Sequence, residues 1–307
     1  MKTLFSVLLL GFITLALEPN SDPKAPISNI TVDTFSTELD GGTGGISIDK
    51  DGNIYVADFG QNLNGKGILG TKVFKITPGG EASVFASDLK GASGNGFDSK
   101  GNLYQSNIMA NYISRITPEG ETSILTKEGI VLPVGIELDA DDNLYIANCG
   151  NNTIRKVTQD GTSTLFAESD LLNCPNGIVF DEEGNLFVAN FSDGSVLKIT
   201  PDAQVTKLAT VPGNNNGHLI YHNQLLYVVG RGAHQVYTVS LTGEVELLAG
   251  TGEPGHKDGP ALEASFFFPN DIGVSPDGKI LYVNEVAGTS STGVLLSPML
   301  VRRIHLN

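Results

Sequence analysis

One phrase recurs along this 307-residue chain. It reads GGISIDKDGNIYVAD from Gly44, VGIELDADDNLYIAN from Val134, PNGIVFDEEGNLFVAN from Pro175 and PNDIGVSPDGKILYVNE from Pro269. Aligned on this phrase, six copies begin at Gly44, Ser93, Val134, Asn176, Asn216 and Asn270, at intervals of 49, 41, 42, 40 and 54 residues. Each copy runs through a Gly-containing apolar strand, a turn of the D-x-x-G-N type and an aromatic strand such as NLYIAN or NLFVAN. A third strand (IRKVTQDG, VLKITPDA) and a fourth (STLFAE, VTKLAT) follow. Four short strands per repeat of this length are the signature of a propeller blade. The expected fold is therefore an all-β, six-bladed propeller with four antiparallel strands per blade.

The last copy stops at its third strand, VRRIHLN. The segment Ile30–Leu39 precedes the first copy and alternates like a fourth strand, so it is expected to complete blade six and close the ring. Closure removes the exposed edges that an open array would leave. Residues 30–307 then form one domain. Ahead of them, residues 1–17 carry one Lys and an apolar run too short to span a bilayer comfortably, the pattern of a signal peptide, and residues 18–29 read as a linker. The protein is expected to be secreted or periplasmic, with no membrane contact beyond that segment.

The chain carries a formal charge of -15 and its longest basic cluster is Arg302-Arg303, which argues against nucleic acid as a partner. Its two cysteines, Cys149 and Cys174, fall on the same face of adjacent blades under propeller topology. In an exported chain they are expected to form a disulfide.

In a propeller the innermost strand of each blade lines the axial channel, and its start lies on the same face as the end of the second strand. The first-strand starts contribute Asn176, Asn216 and Asn270, which begin innermost strands and are read as substrate-binding. The second-strand ends contribute Asp58, also read as substrate-binding, and Glu285. The other amides at strand ends, Asn107, Asn148 and Asn190, read as turn closures. Blade five departs most from the repeat: it replaces the turn aspartate with Tyr221 and holds His218, His222 and His234 out of five histidines in the chain. His218 and Glu285 are the candidates for proton transfer, and Arg231 for steadying developing negative charge. His222 reads as a turn residue. Three long insertions, in blade one, in blade six and between blades five and six, are expected to cluster as a lid.

The phrases LYIANCGNNTIRKV and LAGTGEPGHKDGPALEASFFFPNDIGVSPDG resemble NHL repeats. PNGIVFDEEGNLFVAN resembles the gluconolactonase and senescence-marker-protein family, and PNDIGVSPDGKILYVNE the strictosidine-synthase-like branch. Gluconolactonase-type propellers imply a divalent cation, Ca or Zn, held at the first-strand starts by a Glu in blade one, Asn in blades three and four and Asp in blade five. The matching positions here are Gly44, Val134, Asn176 and Asn216, of which only Asn176 keeps the residue type. A cation site shifted toward Asn176, Asn270 and Asp271 is one expectation, and no cation at all is the other. Two functions stay open: a hydrolase of lactonase or esterase type, or a lyase, acting on a small oxygenated molecule, and a non-catalytic NHL-like module presenting its channel mouth to a protein or glycan.

Overall fold

The computed structural model describes residues 29–36, 38–288 and 295–306; the expected signal peptide and nearly all of the linker lie outside them. Five sheets hold four strands each, and the sixth holds five. Blade three shows the pattern: Pro133–Leu138 lies innermost, followed outward by Leu144–Asn148, Thr153–Val157 and Ser163–Glu168. The six-bladed ring inferred from the repeats is the observed fold.

The recurring phrase is a hairpin. In blades one to four the turn aspartate sits just after the inner strand and accepts two backbone hydrogen bonds through one carboxylate oxygen. Asp98 Oδ1 takes the N–H of Lys100 at 2.9 Å and of Asn102 at 2.8 Å, and Asp181 Oδ1 does the same for Glu183 and Asn185. This turn requires a left-handed residue, supplied by Gly101 and Gly184 at φ +83° and +80°. Blade six uses Ser275 in place of the aspartate. Blade five has neither, and its turn runs through Asn223 and Gln224 in the left-handed region.

The core lies between blades, in six clusters, each built from two neighbours. Ile54, Val56 and Ile76 of blade one pack on Tyr282 and Val301 of blade six, and Val188 and Leu197 of blade four pack on Tyr145 and Ile154 of blade three. Sheets whose faces are covered by both neighbours read as unbroken apolar runs in their second strands, which is why IYVAD, LYIAN and LFVAN are wholly buried.

Blade six joins the two ends of the described chain. Thr31–Thr34 pairs antiparallel with Met299–His305, matching Val32 to Ile304 and Thr34 to Arg302. A fifth strand, Gly259–Pro260, lies outside it. The repeat pattern has no place for this extra strand: the long segment after blade five pairs with Thr31–Thr34 and covers the edge of blade six. The disulfide between Cys149 and Cys174 is present, tying the end of blade three's second strand to the entry of blade four.

At the channel the inner strands approach more closely than side chains allow. A Cβ added to Gly94 would stand 2.4 Å from the Val134 oxygen, one on Gly135 2.2 Å from the Asn176 oxygen, and one on Gly177 2.5 Å from the His218 Cα. Gly135→Ala is therefore expected to destabilise the protein by about 1–3 kcal/mol or more, since backbone must shift to admit one methyl group. Chemical denaturation of the variant against the parent checks this; an unchanged midpoint would contradict the close approach.

Candidate functional site

Strand pairing fixes which residues share a level around the axis. Ile46, Asn95, Ile136, Ile178, Leu219 and Ile272 each face the equivalent residue of the second strand. The residues just before them are Gly45, Gly94, Gly135, Gly177, His218 and Asp271. Four glycines, a histidine and an aspartate thus occupy one level, and the two side chains are consecutive around the ring. His218 Nδ1 stands 3.3 Å from Asp271 Oδ2. Asp271 in turn reaches blade one, where its Oδ2 accepts the Ile46 N–H at 2.8 Å, while its Oδ1 accepts the Ile272 N–H. The His218 N–H donates to the Asn270 oxygen. Both side chains are buried, and burial pushes the Asp271 carboxyl up while the neighbouring His218 pulls it down.

The next level toward the mouth is Gly44, Ser93, Val134, Asn176, Gly217 and Asn270. Asn176 Nδ2 donates to the Asn216 oxygen and Asn270 Nδ2 to the Gly44 oxygen, so each amide bridges to the following blade. Here the structure corrects the sequence alignment. Asn216 lies opposite Gly230, as Pro175 lies opposite Asn190. The residue level with Asn176 is Gly217, and Asn216 is one step earlier. A one-residue slip in a strand turns a side chain to the other face. The Asn216 side chain is fully buried, and neither its oxygen nor its nitrogen has a hydrogen-bond partner among the described residues. A bound polar molecule would relieve that cost.

Asp58 and Glu285 are not where a ligand-binding role needs them. The residues ending the second strands reach back to the loop that enters their own blade. Asp58 accepts the N–H of Gly42, Asn107 that of Lys90, Asn148 that of Val131, Asn190 that of Asn173 and Glu285 that of Phe267. Asp58 also takes the Gly60 and Thr71 N–H groups, and burial pushes its carboxyl up against the pull of these bonds. It is a strut for the blade-one loops. Glu285 goes further: its Oε1 lies 2.7 Å from Arg302 Nη1 and 2.9 Å from His256 Nδ1, with Glu285 and Arg302 both wholly buried. Arg302 Nη2 also binds Asp258, which fastens the linker to blade six.

The residue that does face the channel seam is Asn284, which the sequence reading passed over. Its Nδ2 donates to the Gly44 oxygen at 2.8 Å and its Oδ1 accepts the Asp271 N–H. Successive strand residues point to opposite faces, so Asn284 meets blade one and Glu285 meets the linker. A signal was present: other blades carry Ala57, Ala147, Ala189 and Val229 at this position.

Arg231 opens a 3-10 turn, Arg231–Ala233, at the mouth end of blade five, and lies over the Phe268 ring at 4.9 Å. Desolvation lowers it to about 10, still charged at neutral pH. His234 is held differently: its Nδ1 accepts the Phe268 N–H, and burial with the nearby Arg231 charge keeps its pKa low. His222 abuts the blade-six turn at Gly278 and serves as a turn residue. A group missed in the sequence is Glu137, on the inner strand of blade three, whose carboxyl is pushed up to about 8 by burial despite a hydrogen bond from the Phe180 N–H.

The donor set does not fit a calcium or zinc site of the implied kind. Calcium takes about six to eight oxygens. The levels concerned offer Gly44, Val134 and Gly217 where ligands would stand, and both Asp271 oxygens are already engaged. Among the described residues no three His, Cys, Asp or Glu side chains are grouped to hold a metal.

The three insertions do meet. Leu296 N–H donates to the Gln61 oxygen, Asn62 bridges to Leu295, and Val286 N–H donates to the Phe267 oxygen. The loops of blades six and one so join at one place, and the linker packs beside them on the end of blade six's second strand.

Two stability outcomes follow from this geometry. Glu285→Gln is expected to cost about 3–5 kcal/mol, because Arg302 would stay buried with its Nη1 facing a neutral amide and only the half-exposed Asp258 as counter-charge; a denaturation midpoint within error of the parent would refute the cluster. Burial pushes the Glu137 carboxyl from its ordinary 4.5 up to about 8. Its contribution is fully present below pH 4.5 and is lost as the pH rises through 8. Glu137→Gln should therefore gain melting temperature relative to the parent between pH 5 and pH 9, and a difference that stays flat with pH would contradict the shift.

Residues 101–229 match the family profile described as SMP-30/Gluconolactonase/LRE-like region. No curated protein sequence matches the chain. Among solved structures, a protein of unknown function from Bacteroides thetaiotaomicron aligns with a TM-score of 0.70 at 13% identity, covering 90% of this chain and 76% of the other. A gluconolactonase from Xanthomonas campestris aligns at 0.65 and 14% identity, covering 91% and 90%. Virginiamycin B lyase from Staphylococcus aureus, solved with quinupristin, aligns at 0.63 and 15% identity, covering 91% and 100%. At these identities the structural likeness establishes the fold. The chain is a six-bladed β-propeller whose residues 101–229 are similar to the SMP-30/Gluconolactonase/LRE-like region.

Proposed function

We propose that this propeller hydrolyses a small lactone or ester bound at the channel mouth, with His218 as the acid-base. The observation that carries the reading is the pair His218 and Asp271, the two side chains at a level where four blades have glycine. Nothing in the fold requires a histidine and an aspartate there, since glycine closes the same gap elsewhere.

The chemistry is balanced without further reagents. His218 Nε2 accepts a proton from water as the water oxygen bonds to the acyl carbon. Collapse of the tetrahedral intermediate breaks the bond to the alkoxy oxygen, and the proton on His218 passes to that leaving oxygen. One water is consumed and one hydroxy acid, or an acid and an alcohol, is released. Asn176 and Asn270 contribute amide oxygens toward the ligand, since their nitrogens are tied to backbone. Arg231 offers a retained positive charge at the same end of blade five. The family match and the gluconolactonase among the structural neighbours support this class of substrate. Elimination of the lyase kind would use the same proton acceptor.

The test is turnover of a panel of sugar and aliphatic lactones and of p-nitrophenyl esters. The expected result is hydrolysis above background that falls about a hundredfold or more in His218→Ala, with the native far-UV circular dichroism spectrum retained. Absence of turnover in the parent across the panel, with a protein or glycan captured at the mouth face, would replace this reading with the binding module.

A further inference from the structure

We infer that Asp271 is a positioning residue for His218, and that this pair takes the place of the divalent-cation site which a gluconolactonase-like resemblance implies. The inference rests on the reading that His218 serves the bound ligand, and deepens it.

Three features of the ring carry the argument. First, the level that holds the pair has no room for a side chain in the other four blades. Gly45, Gly94, Gly135 and Gly177 press against the next inner strand with no room for a Cβ. His218 and Asp271 escape that clash as neighbours in the ring: the imidazole is directed at blade six, where Asp271 stands, and the carboxylate at blade one. Either side chain alone would face a buried polar gap.

Second, the carboxylate is committed. Its Oδ1 accepts the Ile272 N–H and its Oδ2 accepts the Ile46 N–H, with His218 Nδ1 at 3.3 Å from that same Oδ2. A carboxylate held by two backbone donors is fixed in space, and ring orientation by such a partner is how an imidazole is kept in one tautomer. With the carboxylate oxygen beside Nδ1, the tautomer we infer carries its proton on Nδ1 and its lone pair on Nε2. That is the arrangement a general base requires.

Third, the surrounding level lacks cation donors. Gly44, Val134 and Gly217 bring no side-chain oxygen, and the amide nitrogens of Asn176 and Asn270 are bound to the carbonyls of Asn216 and Gly44. Moving one aspartate out of its bonds would still leave far fewer oxygens than calcium coordinates.

The experiment uses the full chain, labelled with 15N, and reads the His218 ring by long-range 1H–15N correlation at a pH where the imidazole is neutral. His218→Ala assigns the signal. The expected parent spectrum is the Nδ1–H tautomer, and Asp271→Asn, whose amide keeps one acceptor for the Ile46 N–H, should move His218 toward the Nε2–H tautomer or a mixture. An Nε2–H tautomer in the parent, or no change in the variant, overturns the positioning role whether or not the protein turns over lactones. Melting of the parent in calcium chloride, zinc chloride and EDTA needs no variant: coincident melts are expected, and a stabilisation by either ion that EDTA reverses overturns the replacement. Where turnover is found, Asp271→Asn should lower kcat about a hundredfold with KM changed less than about threefold. A failure of turnover in the parent with the tautomer as expected would count against the proposed hydrolase and leave the positioning intact.

Discussion

The structure depends on how closely six inner strands can crowd one axis. Backbone meets backbone at distances that exclude a methyl group, and glycine is the ordinary solution in blades one to four. Dense packing of this kind transmits any added atom as strain. A side chain at that level therefore has to be accommodated by its neighbour, and the neighbour by the next blade. His218 and Asp271 meet this condition as a consecutive pair. The same constraint explains why polar bonding concentrates where blade six meets blade one. Asn270, Asn284 and Asp271 all bind backbone of blade one there, so the last seam is stitched by directed bonds as well as by apolar packing.

Blade six also separates two kinds of buried charge by one step of a strand. Asn284 looks to the channel seam; Glu285 looks to the linker and joins Arg302, His256 and, through Arg302, Asp258. A buried ion pair gives modest net stability, because desolvation offsets most of the attraction. Its effect lies in geometry. The linker is held against blade six by groups that cannot be separated cheaply, and this fixes Phe267 and Phe268, the second of which faces Arg231 and His234. The wall behind the candidate site is thereby rigid, a property that a positioned acid-base requires.

The blade number, the closing strand and the disulfide were legible in the sequence because each follows from periodicity. A repeat of four strands fixes which ends share a face, and Cys149 with Cys174 fell together by that rule alone. Legibility stopped where the repeat changed. Blade five lost its turn aspartate, and with it the landmark that sets register, so Asn216-Gly217 was matched to Asn176-Gly177 when the pairing puts Gly217 level with Asn176. The bulge in each inner strand absorbs one residue and hides such a slip from the pattern. Asp58 and Glu285 were misread for another reason. Their place at the mouth end was right, but a side chain there closes onto its own entry loop, as Asn107 and Asn148 do, and an acid performs that task as well as an amide. Asn284 was within reach, since it stands where four of the other five blades have Ala or Val.

The distribution of loops bears on how a ligand would reach the pair. Between the second and third strands, blades two to five use four residues each, while blades one and six use residues 59–72 and 287–298. The two long loops bond to one another, and the linker bonds to the end of blade six's second strand. They join one another at the seam of blades six and one, and blades two to four have only short turns there. Entry from the short-turn side would bring a ligand past Asn176 before it reached the histidine. Loop drift alone would scatter insertions around the ring; here they meet at the seam that Asp271 bridges. That coincidence favours a ligand-processing site over a broad docking face, because a docking face gains nothing from a buried, oriented imidazole.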